Sequence, residues 1–448
     1  MDIVNQIGQL LFSLSFLIIL HEMGHFIPAK LFKIKVEKFY LFFDPYFSLV
    51  KKKIGDTTYG IGWLPLGGYV KIAGMIDESM DKEAMKKEPE DWEFRSKPAW
   101  QRLVVMLGGV TVNAILAVGI FIMVMMVWGQ TIIPNKSLSD GIWVTNDSVA
   151  VQIGIHTGDK IIAIDNQNVE ELDVTKMLNS LIFSKTMTIE REGNKFEHEF
   201  PENFIEILQG NKGKGNLFEL RLPFEIGAIP DTGKASKTVL KQGDVVLLAD
   251  STPIKYFDEF KSYLSTRSGE DVTLSVLREE VEVPLVVAVN DEGKIGLPVQ
   301  FISKEELTAQ GILEVRHIEY TFLESIPAGL LETKFKLIFY TKNFLKIFDF
   351  KSKAYKSVGG FKAFGSMFSP TWDWESTWRT TAFISIILAF MNLLPIPALD
   401  GGHAMFLGYE IITGRKPHQK MMEYAQMAGM ILLLLVVLSA NINDWIPK

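Results

Sequence analysis

No cysteine occurs in the 448 residues. Disulfide frameworks and thiol catalysis are therefore excluded, and the redox compartment leaves no mark on the chain. Nor is there an excess of positive charge, since 46 lysines and arginines face 53 aspartates and glutamates. A nucleic-acid-binding class, which needs a basic footprint, gains no support. A further absence is local: the segments 4–32, 103–128, 380–412 and 424–441 are almost free of charge. Each is long enough to cross a hydrocarbon layer of ~30 Å, which takes ~20 helical residues. No basic residue precedes the first of them and no small-residue cleavage site follows it, so it reads as a retained span and not a cleaved leader.

What is present between the second and third apolar segments is a mixed, charged stretch over roughly 135–315, with the composition of a soluble insert. The expected fold is a polytopic α-helical membrane protein of about four spans carrying that insert. Lys30, Lys33, Lys35 and Lys38 crowd the far end of the first segment, and Arg415, Lys416 and Lys420 lie between the third and fourth. The positive-inside rule makes those connections cytoplasmic and puts both termini and the insert on the other side. Trp128 and Trp143 suit an interface belt, or ordinary packing.

The first segment contains "HEMGH". Two histidines at i and i+4 share one helix face, the spacing at which two imidazoles can share a zinc ion, and Glu22 beside them can take a proton from water. The bland alternative is a pair of interfacial histidines bonded to neighbouring helices. That alternative loses ground inside an apolar span, where ionisable side chains are costly and mark function. A catalytic zinc takes three protein ligands. His156, His198, His317 and His418 lie in or beside the insert or in a basic loop, so the third ligand is sought in "FMNLLPIPALDGGHAMFLGYE" (390–410). Pro395 and Pro397 break that helix, and such a break is tolerated at membrane depth only against protein or a water-filled cavity. Asp400 follows it. Asp400 can be the N-cap of the resumed helix or a carboxylate ligand; against His403 the carboxylate is favoured, though periodicity does not decide between them.

"HEMGH" in the first span together with "NLLPIPALDGGH" in the third resembles the site-2 protease family, within it the bacterial RseP branch, over essentially the full chain. The resemblance implies Zn2+ held by His21, His25 and Asp400, with Glu22 as general base and then general acid. It implies hydrolysis of peptide bonds inside the membrane, in single-span protein substrates such as anti-sigma factors or signal-peptide remnants, after a first cut has shed the substrate's outer domain. It places the protein in the bacterial inner membrane, with the active site toward the cytoplasm and the insert in the periplasm. Asn392, just upstream of the Pro395–Pro397 break, is implied to hold substrate, although an interhelical hydrogen bond is a rival role. The second span departs from the family's Gly-Pro-x-x-Asn pattern: Gly109 and Asn113 are kept, but Val110 stands where proline is usual. Asn113 remains a candidate polar contact.

A spanning helix cannot be cut as a helix, because its amides are already paired. The stretches "VEKFYLFFDPYFSLVKKK" and "TTYGIGWLPLGGYVKIAGM" read as hairpins with turns at Asp44–Pro45 and Gly67–Gly68, and an exposed edge there suits strand addition. The resemblance agrees, implying a membrane-re-entrant β-loop. The charge-rich run at 76–97 reads as a cytoplasmic helix or strap. Within the insert, 148–169 and 235–254 form an internal repeat at about 85 residues, each with a Gly-Asp turn entering a strand. Both units resemble PDZ domains, and the second lacks the usual glycine before its turn, reading Val239–Leu240. They suit either a docking site for substrate tails or a size filter. Residues 319–350 read as an amphipathic helix in the interface. The expected domains are 1–134, 135–225, 226–300, 301–375 and 376–448. A catalytically inactive membrane scaffold that binds peptides is the rival class; a zinc transporter leaves Glu22 and the insert unexplained.

Overall fold

A computed structural model of the chain describes residues 2–75, 88–137, 140–145, 153–171, 177, 180–181, 184–201, 217–229, 239–302, 304–311, 313–348 and 358–444. Most of the charge-rich run expected as a strap, 76–87, lies outside them. The chain divides into two units, one built from 1–130 and 319–447 and the other from 131–318.

The first unit is helical. Helix α1 spans Asp2–Leu31 and α2 spans Ala99–Trp128. They cross where glycine faces glycine: a Cβ on Gly24 would stand 2.4 Å from the Gly108 carbonyl oxygen, and one on Gly108 would stand 1.9 Å from that of Gly24. Small residues let the backbones approach this closely, the usual basis of helix association in lipid. Helix α4, Phe322–Ile347, is the amphipathic stretch, and it packs along other helices of this unit: Gly329 meets Ile122 of α2, while Tyr340 and Phe344 meet Phe390 edge-on. Its N-terminus is closed by a Thr321–Glu324 capping box.

Phe390 belongs to α5, Trp374–Leu393. Buried polar side chains join α5 to its neighbours: Thr377 donates to Gln9 (2.6 Å), Ser13 and Thr381 hydroxyls pair at 2.7 Å, and Ser385 donates to the Asn113 carbonyl (2.8 Å). The chain then breaks over 394–399, resumes as α6 (Asp400–Thr413) and ends in α7 (Gln419–Asn443). Among the described residues, three helices are long and apolar enough to cross a membrane: Ile3–Leu31, Ala99–Trp128 and Lys420–Asn443. The segment 380–412, read from the sequence as one span, is instead two shorter helices. The start of α5 is polar, and Pro395 and Pro397 withhold the amides that would have joined it to α6.

Between α1 and α2 lies a four-stranded sheet of β1 (Val36–Phe43), β2 (Val50–Ile54), β3 (Thr57–Ile61) and β4 (Leu64–Ile72) in the order β2-β3-β1-β4. Only β2–β3 is a hairpin. Strand β1 runs parallel to β3 and antiparallel to β4, so the two expected hairpins are replaced by one sheet with β1 inside it. Gly67 and Gly68 lie within β4 and not in a turn. The pairs Leu41–Gly68 and Phe43–Leu64 bracket a bulge there. Ala29, Val36, Ile72, Val105 and Leu407 share one buried cluster, which fixes the sheet against α1, α2 and α6. The larger of these, Val36, Ile72, Val105 and Leu407, each contribute about 1.5–3 kcal/mol by leaving water.

The second unit repeats a motif. Strands β5 (Lys160–Ile164), β6 (Gln167–Asn168), β7 (Thr186–Arg191) and β8 (Asn194–Glu199) form one sheet in the order β8-β7-β5-β6. Strands β9 (Val245–Ala249), β10 (Thr252–Pro253), β11 (Asp271–Arg278) and β12 (Val281–Ala288) form another in the matching order β12-β11-β9-β10, with α3 (Phe257–Ser265) before β11. In the first, Arg191 grips buried Asp159 at 2.7 and 2.9 Å and donates to the Gly154 carbonyl. In the second, Arg278 grips Asp244 at 2.7 Å twice and donates to the Val239 carbonyl. The two aspartates are 85 positions apart, as are Asp165 and Asp250, both at positive φ in the turn after β5 and β9. The two halves are tied together by Arg221, which bonds Asp258, Glu259 and the Asp140 carbonyl, and by Lys255 and Tyr256 on the Asp140 carboxylate.

Candidate metal centre

The spacing of "HEMGH" does what helix geometry demands. His21 and His25 stand one turn apart on α1, their rings edge-on at 4.9 Å between centroids. Helix α2 runs antiparallel beside them, and its backbone orients the rings. The Nδ1 atom of His25 lies 2.8 Å from the Val105 carbonyl oxygen. A carbonyl can only accept, so His25 carries a proton on Nδ1, and Nε2 is the nitrogen left to face the cluster. Two turns further on, the amide of Asn113 reaches Nδ1 of His21 at 3.1 Å. Gly109 lies between: a Cβ there would come within 2.4 Å of His25 Nε2 and 2.5 Å of His21 Cε1, so glycine leaves the room the two imidazoles occupy.

The third member comes from the break. Ala398 is held at φ 90°, a strained region for a residue with a Cβ. Gly401 and Gly402 then let the first turn of α6 fold back onto the break, since Cβ atoms there would stand 2.4 Å from the carbonyl oxygens of Leu393, Leu394 and Ile396. Leu399 stands at the N-cap of helix α6 without a side-chain capping bond, and the helix begins at Asp400. The Asp400 carboxylate faces the histidines. His21 Nε2 lies 3.3 Å from His25 Nε2, and Asp400 Oδ2 lies 3.5 and 3.4 Å from the two nitrogens. Oδ2 is buried and makes no hydrogen bond.

These three separations decide what the cluster can hold. Ligand bonds of about 2.1 Å at tetrahedral angles place neighbouring donor atoms about 3.4 Å apart. The triangle found, 3.3, 3.4 and 3.5 Å, has that size on every edge. Two imidazole nitrogens and a carboxylate oxygen are also the donor chemistry of catalytic zinc sites, which keep a fourth position open. The residues fit the ion. The group is the one candidate metal cluster among the described residues.

A cavity of about 650 Å³ opens from this triangle. Glu22 and Asp400 line it together with Asp44, just after β1, and with Gly68, Tyr69 and Val70 of β4. Strand β4 is a sheet edge, and it passes close to α1 because position 68 is glycine: a Cβ there would meet Ile18 at 2.6 Å and the Tyr40 carbonyl at 2.7 Å. Tyr69 donates to Asp44 at 2.8 Å, and Lys38 reaches the Tyr69 hydroxyl at 3.4 Å.

Of the residues singled out by sequence, His21, Glu22, His25, Asp400, His403 and Gly68 meet at this cavity. Gly67 is beside it, its Cβ position filled by the Phe43 ring. Asn113 has no exposed surface and lies against His21. Asn392 is half-buried in the last turn of α5 and is not among the cavity-lining residues. Pro395 is exposed in the break, while Pro397 walls a second cavity of about 310 Å³ with His403, Arg102 and Glu410. Lys38, Asp44 and Tyr69 were not foreseen. The signal for them was present only as aromatic strand residues beside a Lys and an Asp.

The model of peptidase family M50 matches residues 9–436. A Haemophilus influenzae protein named "Regulator of sigma E protease" is 25% identical over the whole of both chains. Proteins named "Putative zinc metalloprotease" are similar as well: one from Rickettsia conorii is 27% identical, covering 96% of each chain, and one from Campylobacter jejuni is 26% identical, covering 96% of this chain and 90% of its own.

Proposed function

The chain belongs to peptidase family M50, and from that premise we infer that it is a zinc metalloendopeptidase cutting peptide bonds within the membrane-spanning segments of single-span proteins. The observation that carries the reading is the triangle of His21, His25 and Asp400, whose three edges of 3.3–3.5 Å suit a tetrahedral ion. Those three residues would hold zinc, which supplies Lewis acidity toward water and toward the scissile carbonyl. Glu22 shares the cavity with them. Its carboxylate takes the proton of the attacking water and returns it to the leaving amide nitrogen. The outer strand β4 takes the substrate by strand addition, which unwinds it and exposes a bond to attack. Gly67 and Gly68 shape that edge, and the Pro395–Pro397 break opens the space that water needs. Asn392 holds the substrate backbone beyond the cavity. The same reading keeps 380–412 as a fourth, broken span.

The two similar halves of 131–318 are PDZ-like and act as a size filter, so that cleavage follows removal of the substrate's outer domain. Substrates of that kind include anti-sigma factors and signal-peptide remnants, in accord with the printed name of the Haemophilus relative. Lysine placement supports a site facing the cytoplasm in a bacterial inner membrane, with the insert and both termini in the periplasm. A catalytically inactive scaffold would have no need of a complete ligand triangle with Glu22 beside it.

The test is purified chain with zinc measured per protein and a single-span substrate in detergent. Glu22→Gln should retain zinc and lose about 10²–10⁴-fold in cleavage rate, the range for a lost general acid–base. Undiminished cleavage by that variant would sink the mechanism.

A further inference from the structure

Asn113 carries two facts that do not fit together as its amide is placed. Its Nδ2 lies 3.1 Å from His21 Nδ1, and its Oδ1 is buried with no partner. An amide NH2 pointing at Nδ1 requires Nδ1 to be bare, which puts the imidazole proton on Nε2. Yet Nε2 is the atom of His21 that lies 3.3 Å from His25 Nε2 and 3.5 Å from Asp400 Oδ2. A protonated Nε2 there has no lone pair for a metal.

The ring edge of His21 that carries Nδ1 and Cε1 also faces the Gly109 backbone, where a Cβ would stand 2.8 and 2.5 Å from those atoms. Within a helix the Gly109 N–H is committed to the carbonyl four residues back, so that backbone offers Nδ1 no donor. Side-chain amide oxygen and nitrogen differ little in shape, and which is which is assigned from the hydrogen bonds they make.

We propose that the Asn113 amide is turned the other way, with Oδ1 accepting from His21 Nδ1–H, and that Asn113 is the positioning residue that fixes the metal-binding tautomer of His21. Rotation about the last side-chain bond exchanges the two atoms in place, gives Oδ1 a donor, moves Nδ2 to the place Oδ1 leaves, and frees Nε2 of His21. Helix α2 then serves both ligands from one face: the Val105 carbonyl takes the Nδ1 proton of His25, and Asn113, two turns on, takes that of His21. An acceptor behind a ligating histidine sets its orientation and basicity, and its loss weakens metal binding by roughly 10–100-fold. The Ser385 hydroxyl, which donates to the Asn113 carbonyl at 2.8 Å, pins this stretch of α2 against α5.

The inference rests on His21, His25 and Asp400 being the metal ligands, and its test separates the two. Zinc affinity of the full chain in detergent is measured by competition with a chelator for wild type, His21→Ala, Asn113→Asp and Asn113→Leu, alongside the thermal shift each shows on adding zinc to metal-free protein. Aspartate keeps an acceptor at the amide's place and cannot donate; leucine keeps the volume and offers neither. Expected are wild-type or tighter affinity for Asn113→Asp and a 10–100-fold loss for Asn113→Leu, with the zinc-induced shift following affinity. If Asn113→Asp loses zinc as Asn113→Leu does, or does not fold even with zinc, the amide nitrogen is the working group and the proposal is overturned. If Asn113→Leu binds as wild type, Asn113 positions nothing and the proposal is again overturned. Should Asn113→Leu fail to fold without metal, the aspartate variant alone decides. Undiminished zinc binding by His21→Ala overturns the ligand assignment itself, whatever the Asn113 variants do.

Discussion

At the scale of single residues, the three side chains that meet in the triangle stand out in the letters, and so does Asn113 beside His21, while the backbone support of His25 does not. A histidine pair at i and i+4 with a glutamate between, and an aspartate just after a proline break, can be read from the letters because side-chain chemistry is in the letters. The Val105 carbonyl that sets the His25 ring cannot, since every residue has one. Gly24 and Gly108 are intermediate: they stand in "HEMGH" and "LGG", but nothing in one sequence says that each faces the other's carbonyl oxygen. Their role gives a prediction. Gly108→Ala puts a methyl 1.9 Å from the Gly24 oxygen, and neither atom is the end of a flexible side chain. The helices must separate, at a cost of about 1–3 kcal/mol in overpacking. Because Gly24 lies between His21 and His25 on α1, zinc content should fall together with thermal stability. Gly119→Ala on the same helix, where a Cβ meets nothing, is the control and should leave both unchanged.

At the scale of elements, composition identified the strands and missed their partners. Aromatic and β-branched runs marked β1, β3 and β4 correctly as extended. The glycines at 67 and 68 read as a turn because turns are the commonest reason for a glycine pair. Here the reason is close approach, β4 passing within a side chain's width of Ile18 and the Tyr40 backbone. Parallel pairing of β1 with β3 leaves β4 at the edge beside the cavity, an outcome set by tertiary contact and invisible to local pattern. Strand addition at that edge has a measurable signature. The chain has no cysteine of its own, so a single Val70→Cys in β4 can be paired by disulfide with single cysteines walked along a substrate's spanning segment. An extended substrate presents alternate side chains to one face. Cross-linking should therefore peak at every second substrate position near the cleaved bond. A repeat of three to four positions would show the substrate still helical at the edge, and strand addition would fail.

At the scale of the whole molecule, the 85-residue repeat was legible because its turn residues recur in order, whereas its buttress was not. Asp159 and Arg191 are 32 positions apart and Asp244 and Arg278 are 34, distances that only the closing of β7 and β11 onto β5 and β9 brings to hydrogen-bonding range. Burial alone would raise the Asp244 carboxyl; the Arg278 fork and the Lys241 amide outweigh it and hold the group below its ordinary value of 3.8. A carboxyl depressed by folding adds stability in full above its unfolded pKa and loses it as pH falls toward the folded value. The 131–318 unit should therefore weaken below about pH 4. Arg278→Ala, which strands a buried carboxylate, should cost that unit about 3 kcal/mol. The zinc triangle belongs to the other unit, with clusters of its own, so zinc affinity should stay at the wild-type value in Arg278→Ala. The variant then tests the proposed size filter. With an outer domain left on the substrate, wild type should cut slowly and Arg278→Ala faster when warmed past the melting of 131–318; with that domain removed, the two should cut alike. Equal discrimination by both, with 131–318 shown to be melted in the variant, would mean that size selection resides elsewhere in the chain.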